Sequence, residues 1–222
     1  MDAETHNLLR FAHILLFAYW LGADFGVFLG GGWMSRPGLS VAERNRIRDL
    51  VMAIDVAPRM ALVLMLPVGF SLALAWGAPL PATALPVLWL AAAIWIGVLL
   101  WVHFAHGHPA VGAVLRADLA LRVLILAGML VLGVRGLSAD SSVPGWLAVK
   151  FLLFAAIIGD GIALRWISGQ WRPAIQRLEA GDLVLGEELL RVRRRKAIVA
   201  ALFMWLLVGG AAFIGTLKPV SG

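Results

Sequence analysis

Three side chains interrupt the first hydrophobic stretch of this 222-residue chain: His13, Trp20 and Asp24. Their spacing of seven and then four residues places them on one face of a helix. The stretch from Asn7 to Met34 is long enough to cross a bilayer, where polar and ionisable groups are costly and normally face a functional interior. An imidazole held there can ligate haem, bind another metal, or bond to a backbone carbonyl or a neighbouring helix. Trp20 reads as packing against a cofactor or the core.

The other ionisable residues of the hydrophobic segments sort by depth, at a rise of ~1.5 Å per residue. His13, Lys150 and Arg135 fall in an outer layer, roughly 6–9 Å below one surface. Asp24, His103 and Asp160 share a deeper level, which Arg59 and Arg122 reach from the opposite ends of their segments. A carboxylate in a bilayer needs a partner, so Asp24–Arg59 and Asp160–Arg122 are the expected salt bridges of this inner layer. The alternative is a proton route or a second cofactor site. His13 and His103 lie roughly 15 Å apart along the membrane normal, too far to share one iron. His103, His106 and His108 are read as interfacial histidines, with a divalent-metal site as the sharper alternative. Lys150, one turn deep, either snorkels to the surface or pairs with an anion.

The elements that must position these groups are helices. The chain is 61% hydrophobic and 14% charged, with a mean hydropathy of +0.89. A soluble domain carries roughly 25% charged residues, so an all-α polytopic membrane bundle is predicted. Six spans are expected, at about 8–31, 58–77, 87–107, 119–137, 146–168 and 197–217, in a single domain over residues 1–222. Residues 40–55 and 172–196 read as amphipathic helices at the headgroups. The start Met1-Asp2-Ala3-Glu4 lacks a basic n-region, so the first helix is expected to be retained. With no cysteine, disulfides, thiolate metal sites and covalent haem attachment are excluded.

Fifteen of the nineteen Lys and Arg fall on or beside one set of loops, including Arg44, Arg48 and Arg191 to Lys196. The positive-inside rule then places those loops in the cytoplasm and both termini outside it. The net charge of +6 is thereby explained by topology and anionic lipid, without nucleic acid. A docking site for an acidic partner protein is the alternative use of the basic cluster.

His13-x6-Trp20-x-Gly22 resembles the first helix of a superfamily with three known branches. These are the copper-resistance D family, the membrane domain of the bacterial cytochrome-linked urate oxidase, and the haem-containing membrane protoporphyrinogen oxidase. Trp146-Leu-Ala-Val-Lys150 is similar to the opening of a later helix in the protoporphyrinogen oxidase family, and Leu66-Pro-Val-Gly69 looks like part of its second span. The likeness covers spans one, two, five and six, which makes spans three and four an inserted pair. One departure is Gly26-Val-Phe-Leu-Gly-Gly-Gly-Trp33, where that family has a Tyr-Leu-x-Arg-Leu type sequence.

The resemblance implies an inner-membrane protein of bacterial type with haem b, in which His13 is the haem ligand and Lys150 its near neighbour. The candidate set is then His13 as metal ligand; His13, Trp20 and Lys150 as cofactor contacts; and Lys150, Asp24 and Arg59 as reactive groups. The activity implied is electron transfer or oxidation of a hydrophobic reductant, with a quinone or a redox partner protein. Two other readings stay open: a copper or small-solute transporter, and a non-catalytic membrane subunit, either as a homo-oligomer or with a partner. Copper would want soft methionine ligands near the histidine, whereas Met52, Met60, Met65, Met129 and Met204 are scattered along the sequence.

Overall fold

The computed structural model describes residues 1–78, 80–105 and 107–218. The described residues form eight α-helices and no strand: α1 (Ala3–Met34), α2 (Val41–Ile54), α3 (Val56–Ala73), α4 (Leu85–Phe104), α5 (Val111–Gly136), α6 (Gly145–Gly169), α7 (Trp171–Glu179) and α8 (Leu183–Leu217). Six segments built on α1, α3, α4, α5, α6 and α8 are long and apolar enough to cross a membrane. This is the helical membrane architecture that composition predicts.

Local signals set the helix ends. Asp2 caps α1 by accepting the Thr5 N–H at 2.7 Å, a bond that holds its carboxyl below the ordinary range. Ser40 and Glu43 form a reciprocal capping box that starts α2. Pro67 sits inside α3 and removes one intrahelical N–H. The hydroxyl of Ser71 bonds back to the Pro67 carbonyl at 2.7 Å and accepts the Trp89 indole N–H of α4 at 3.3 Å.

The spanning helices form a ring in the order α1, α3, α4, α5, α6, α8, and α8 returns to α1. Two apolar cores fill it. One joins α3, α4, α5 and α6 through Val63, Trp95, Met129 and Phe151. The other joins α1, α3, α6 and α8 through Trp20, Met65, Ile157 and Met204. His6, Arg10 and Lys218 line one cavity, so the two chain ends lie at the same end of the bundle. That end is called the terminal end below, and the opposite one the basic end.

Two boundaries differ from expectation. Helix α5 starts at Val111, ahead of the predicted 119, which brings Asp118 into the bundle. Residues 172–196 do not form one surface helix. Gly181 adopts a left-handed conformation (φ +84°) that separates α7 from α8, and Arg191–Lys196 continue unbroken into the last span. A lysine- and arginine-rich turn keeps helical propensity, so charge alone does not end a helix.

Candidate functional site

At the terminal end, α1, α3, α5, α6 and α8 line a cavity of about 570 Å³. It belongs to the size class of small-molecule and cofactor sites, which run to ~300–1,000 Å³. His13 and Lys150 both line it, and the Lys150 ammonium is within electrostatic range of the His13 ring. The two residues assigned to one layer by depth thus line one cavity, from α1 and α6. Trp20, seven residues further along α1, lines the cavity toward its deep end and is 7% exposed.

Small residues let these side chains face the space. A β-carbon added at Gly69 of α3 would lie 3.8 Å from His13 Cε1, so the ring packs over a glycine. One added at Gly215 of α8 would lie 2.6 Å from Lys150 Nζ, closer than real β-carbons come. Gly215 is therefore what lets the lysine cross to that position. The walls are apolar and aromatic, with Phe70, Phe151 and Phe154 among them.

One nitrogen of the His13 ring, Nδ1, is buried and lacks a hydrogen-bond partner among the described residues. An imidazole nitrogen orphaned in an apolar wall carries a desolvation cost of about 1–3 kcal/mol. Met65 and Met129 line the same cavity, although they are far from His13 in sequence. Residues scattered along the sequence are thus brought to one cavity by α3 and α5. These residues can accept a haem: one free imidazole, an apolar aromatic slot and a cation for an acid group.

Asp24 and Arg59 do not belong to this cavity. Asp24 accepts the Trp205 indole N–H of α8 at 2.7 Å, and Phe25 and Phe28 pack on the same indole. Arg59 pairs with Asp55 one turn away. The expected Asp24–Arg59 bridge is replaced because an i,i+4 carboxylate lies nearer to the guanidinium than a residue on another helix. Asp160–Arg122 fails for the same reason: Arg122 bonds to Asp118 at 3.0 Å, and Arg165 joins the same carboxylate. Asp160 keeps a buried Oδ2 with no hydrogen-bond partner among the described residues.

Sequence reading missed Asp118. It accepts from Arg122, Arg165 and the Trp95 indole at once, which makes it the most heavily bonded carboxylate of the spans. Its signal was the Asp118–Arg122 spacing of one turn, obscured by a span start placed at 119, just past the aspartate. Arg44 was the second omission. Fully buried, it donates to the Met34 carbonyl at 2.6 Å, the Leu39 carbonyl at 3.2 Å and Glu187 of α8 at 2.6 Å.

His103 lies apart from the cavity of His13, against a small space of about 70 Å³ that Arg59, Asp118 and Arg165 also line. His108 packs edge-on to Trp101 and accepts the Ala110 N–H, as a turn histidine does. The metal alternative for His103, His106 and His108 includes His106, which lies outside the described residues. No family model matches the chain, and no curated protein or solved structure does either.

Proposed function

We propose that this chain is an integral-membrane b-type haem protein that transfers electrons or oxidises a hydrophobic reductant. The observation that carries the reading is that His13 and Lys150 line one largely apolar, aromatic cavity of about 570 Å³. Bound haem would supply one-electron redox chemistry at its iron.

The chain's own residues do the rest. His13 would hold the iron through its imidazole, the only one deep in the cavity; His6, also among its lining, lies two turns nearer the chain end. Trp20, Phe70 and Phe151 exclude water, which lowers the local dielectric and strengthens each charge interaction inside. Lys150 would neutralise an acid group of the cofactor or of an anionic reductant. Positive-inside topology puts this cavity near the outer face, with a quinone or redox protein as its electron partner.

Copper handling is a second reading, favoured by Met65 and Met129 lining the cavity of His13. A visible spectrum separates the two. Protein purified intact from haem-replete cells should show a reducible Soret band, and His13→Ala should lose it while still eluting as a monodisperse species. A colourless wild-type protein would overturn the haem reading, and bound copper with His13-dependent stoichiometry would install the second.

A further inference from the structure

The cavity is charged at one end only. Arg10, Lys150 and Lys218 line it at the terminal end, and no aspartate or glutamate is among its described lining residues. None of these three cations takes part in an ion pair among the described residues. Arginines of the basic end, by contrast, hold Glu187, Asp55 and Asp118. Below the cationic rim the walls are aromatic and aliphatic down to Trp20.

Lys218 reaches the rim by an unusual backbone turn. It closes α8 in a left-handed conformation (φ 40°), the one non-glycine residue with positive φ among those described. Helices that end this way normally use glycine, because a β-carbon is strained there. The turn lays the ammonium 4.2 Å from the centre of the Trp76 ring and 5.8 Å from that of Trp146. The two indoles meet edge to face at 5.4 Å. Aromatic faces steady a cation without neutralising it. Its charge remains available to an anion.

We infer that Arg10 and Lys218 bind the acid groups of an amphiphile at the rim of this cavity, with its apolar body directed toward Trp20. The inference rests on the proposed cofactor site for its location, and its chemistry is set by charge complementarity. Two sources share that chemistry: the paired carboxylates of haem and the acid head of a lipid-like molecule. Arg10 and Lys218 would then fix which end of the occupant faces out, while His13 sets its depth.

The test uses full-length protein from haem-deficient cells in phosphatidylcholine nanodiscs. It is titrated with hemin and with hemin dimethyl ester, and separately with a pyrene-labelled fatty acid and its methyl ester. Quenching of tryptophan emission reports occupancy, because Trp20, Trp76 and Trp146 line the cavity. For at least one pair, the acid should bind about tenfold or more tightly than the ester, the size of one charge-assisted contact. Arg10→Gln with Lys218→Gln should reduce that preference severalfold, leaving only what Lys150 supplies, whereas Arg10→Lys with Lys218→Arg should keep it.

Equal binding of acid and ester in both pairs overturns the inference, as does absence of binding by any probe. An acid preference undiminished in the double glutamine variant also overturns it. A preference confined to the fatty acid, reduced in that variant, upholds the inference while the haem reading fails. A preference confined to hemin names haem carboxylates as the source.

Discussion

The two ends of this bundle differ in whether their cations meet acids. At the basic end two buried or half-buried arginine clusters meet acceptors: Arg44 has Glu187 and two carbonyls, and Arg122 shares Asp118 with Arg165, while Arg193 keeps a buried Nη1 with no hydrogen-bond partner among the described residues. At the terminal end exposed Arg10 and half-buried Lys150 and Lys218 line a cavity with no acid among its described lining residues, and His13 keeps an unbonded ring nitrogen. Satisfied polar groups lock helices together, whereas unsatisfied ones carry a cost that a ligand can relieve. Burial is therefore a poor guide to function here. The hydrogen-bond partner is the better one.

The largest expected effect is a contrast across the two ends. Arg44→Ala would leave Glu187 and the Met34 and Leu39 carbonyls without their donor, at the junction of α2 and α8. Breaking a buried pair in this way costs about 3–5 kcal/mol. Lys150→Met removes a cation that no acid holds, and should change stability by less than about 1 kcal/mol. Thermal unfolding of both variants in one detergent measures the contrast. A Lys150→Met protein as unstable as Arg44→Ala would break the comparison, because the terminal-end cation would then be structural.

A smaller effect is expected at the α1–α8 contact between the two ends. Trp205→Phe keeps the aromatic stack on Phe25 and Phe28 but deletes the donor to Asp24. An orphaned carboxylate inside the bundle should lower stability by about 1–3 kcal/mol. Adding Asp24→Asn to Trp205→Phe should recover part of the loss, since an amide is cheaper to bury than a carboxylate. Should the added Asp24→Asn recover nothing, Asp24 has a partner other than the indole.

How much of this was legible in sequence follows from the range of each interaction. Hydropathy gave six helices because every span must satisfy its own backbone bonds in lipid, a constraint that acts locally. The layer shared by His13 and Lys150 was legible because depth follows from residue counting once a span is placed. Partners across helices were not. Arg44 and Glu187 are 143 residues apart, and nothing in either neighbourhood marks the other. Asp24–Arg59 looked plausible on depth alone, but depth leaves the rotation of each helix about its axis undetermined. Trp205 took the position that a cation was expected to fill. The same ambiguity hid Met65 and Met129, whose inward rotation a list of sequence positions does not contain.

The smallest effect on stability should carry the sharpest information about the cavity. A β-carbon at Gly215 meets the tip of the Lys150 side chain at 2.6 Å, whereas one at Gly69 finds His13 Cε1 at 3.8 Å, an ordinary contact. The Lys150 ammonium ends a flexible stem and can swing aside, so Gly215→Ala should cost less than about 1 kcal/mol of stability. It should still displace the cation from the cavity and weaken acid-selective binding of hemin or a fatty acid. Gly69→Ala should leave both properties close to wild type, because the added methyl fits without moving the imidazole. Titrating each variant with the acid and ester probes compares the two glycines directly. If Gly69→Ala weakened binding more than Gly215→Ala, the anchor of the occupant would be the His13 wall and the lysine would be incidental. The expected order makes Lys150 part of the anionic clamp and Gly215 the residue that admits it.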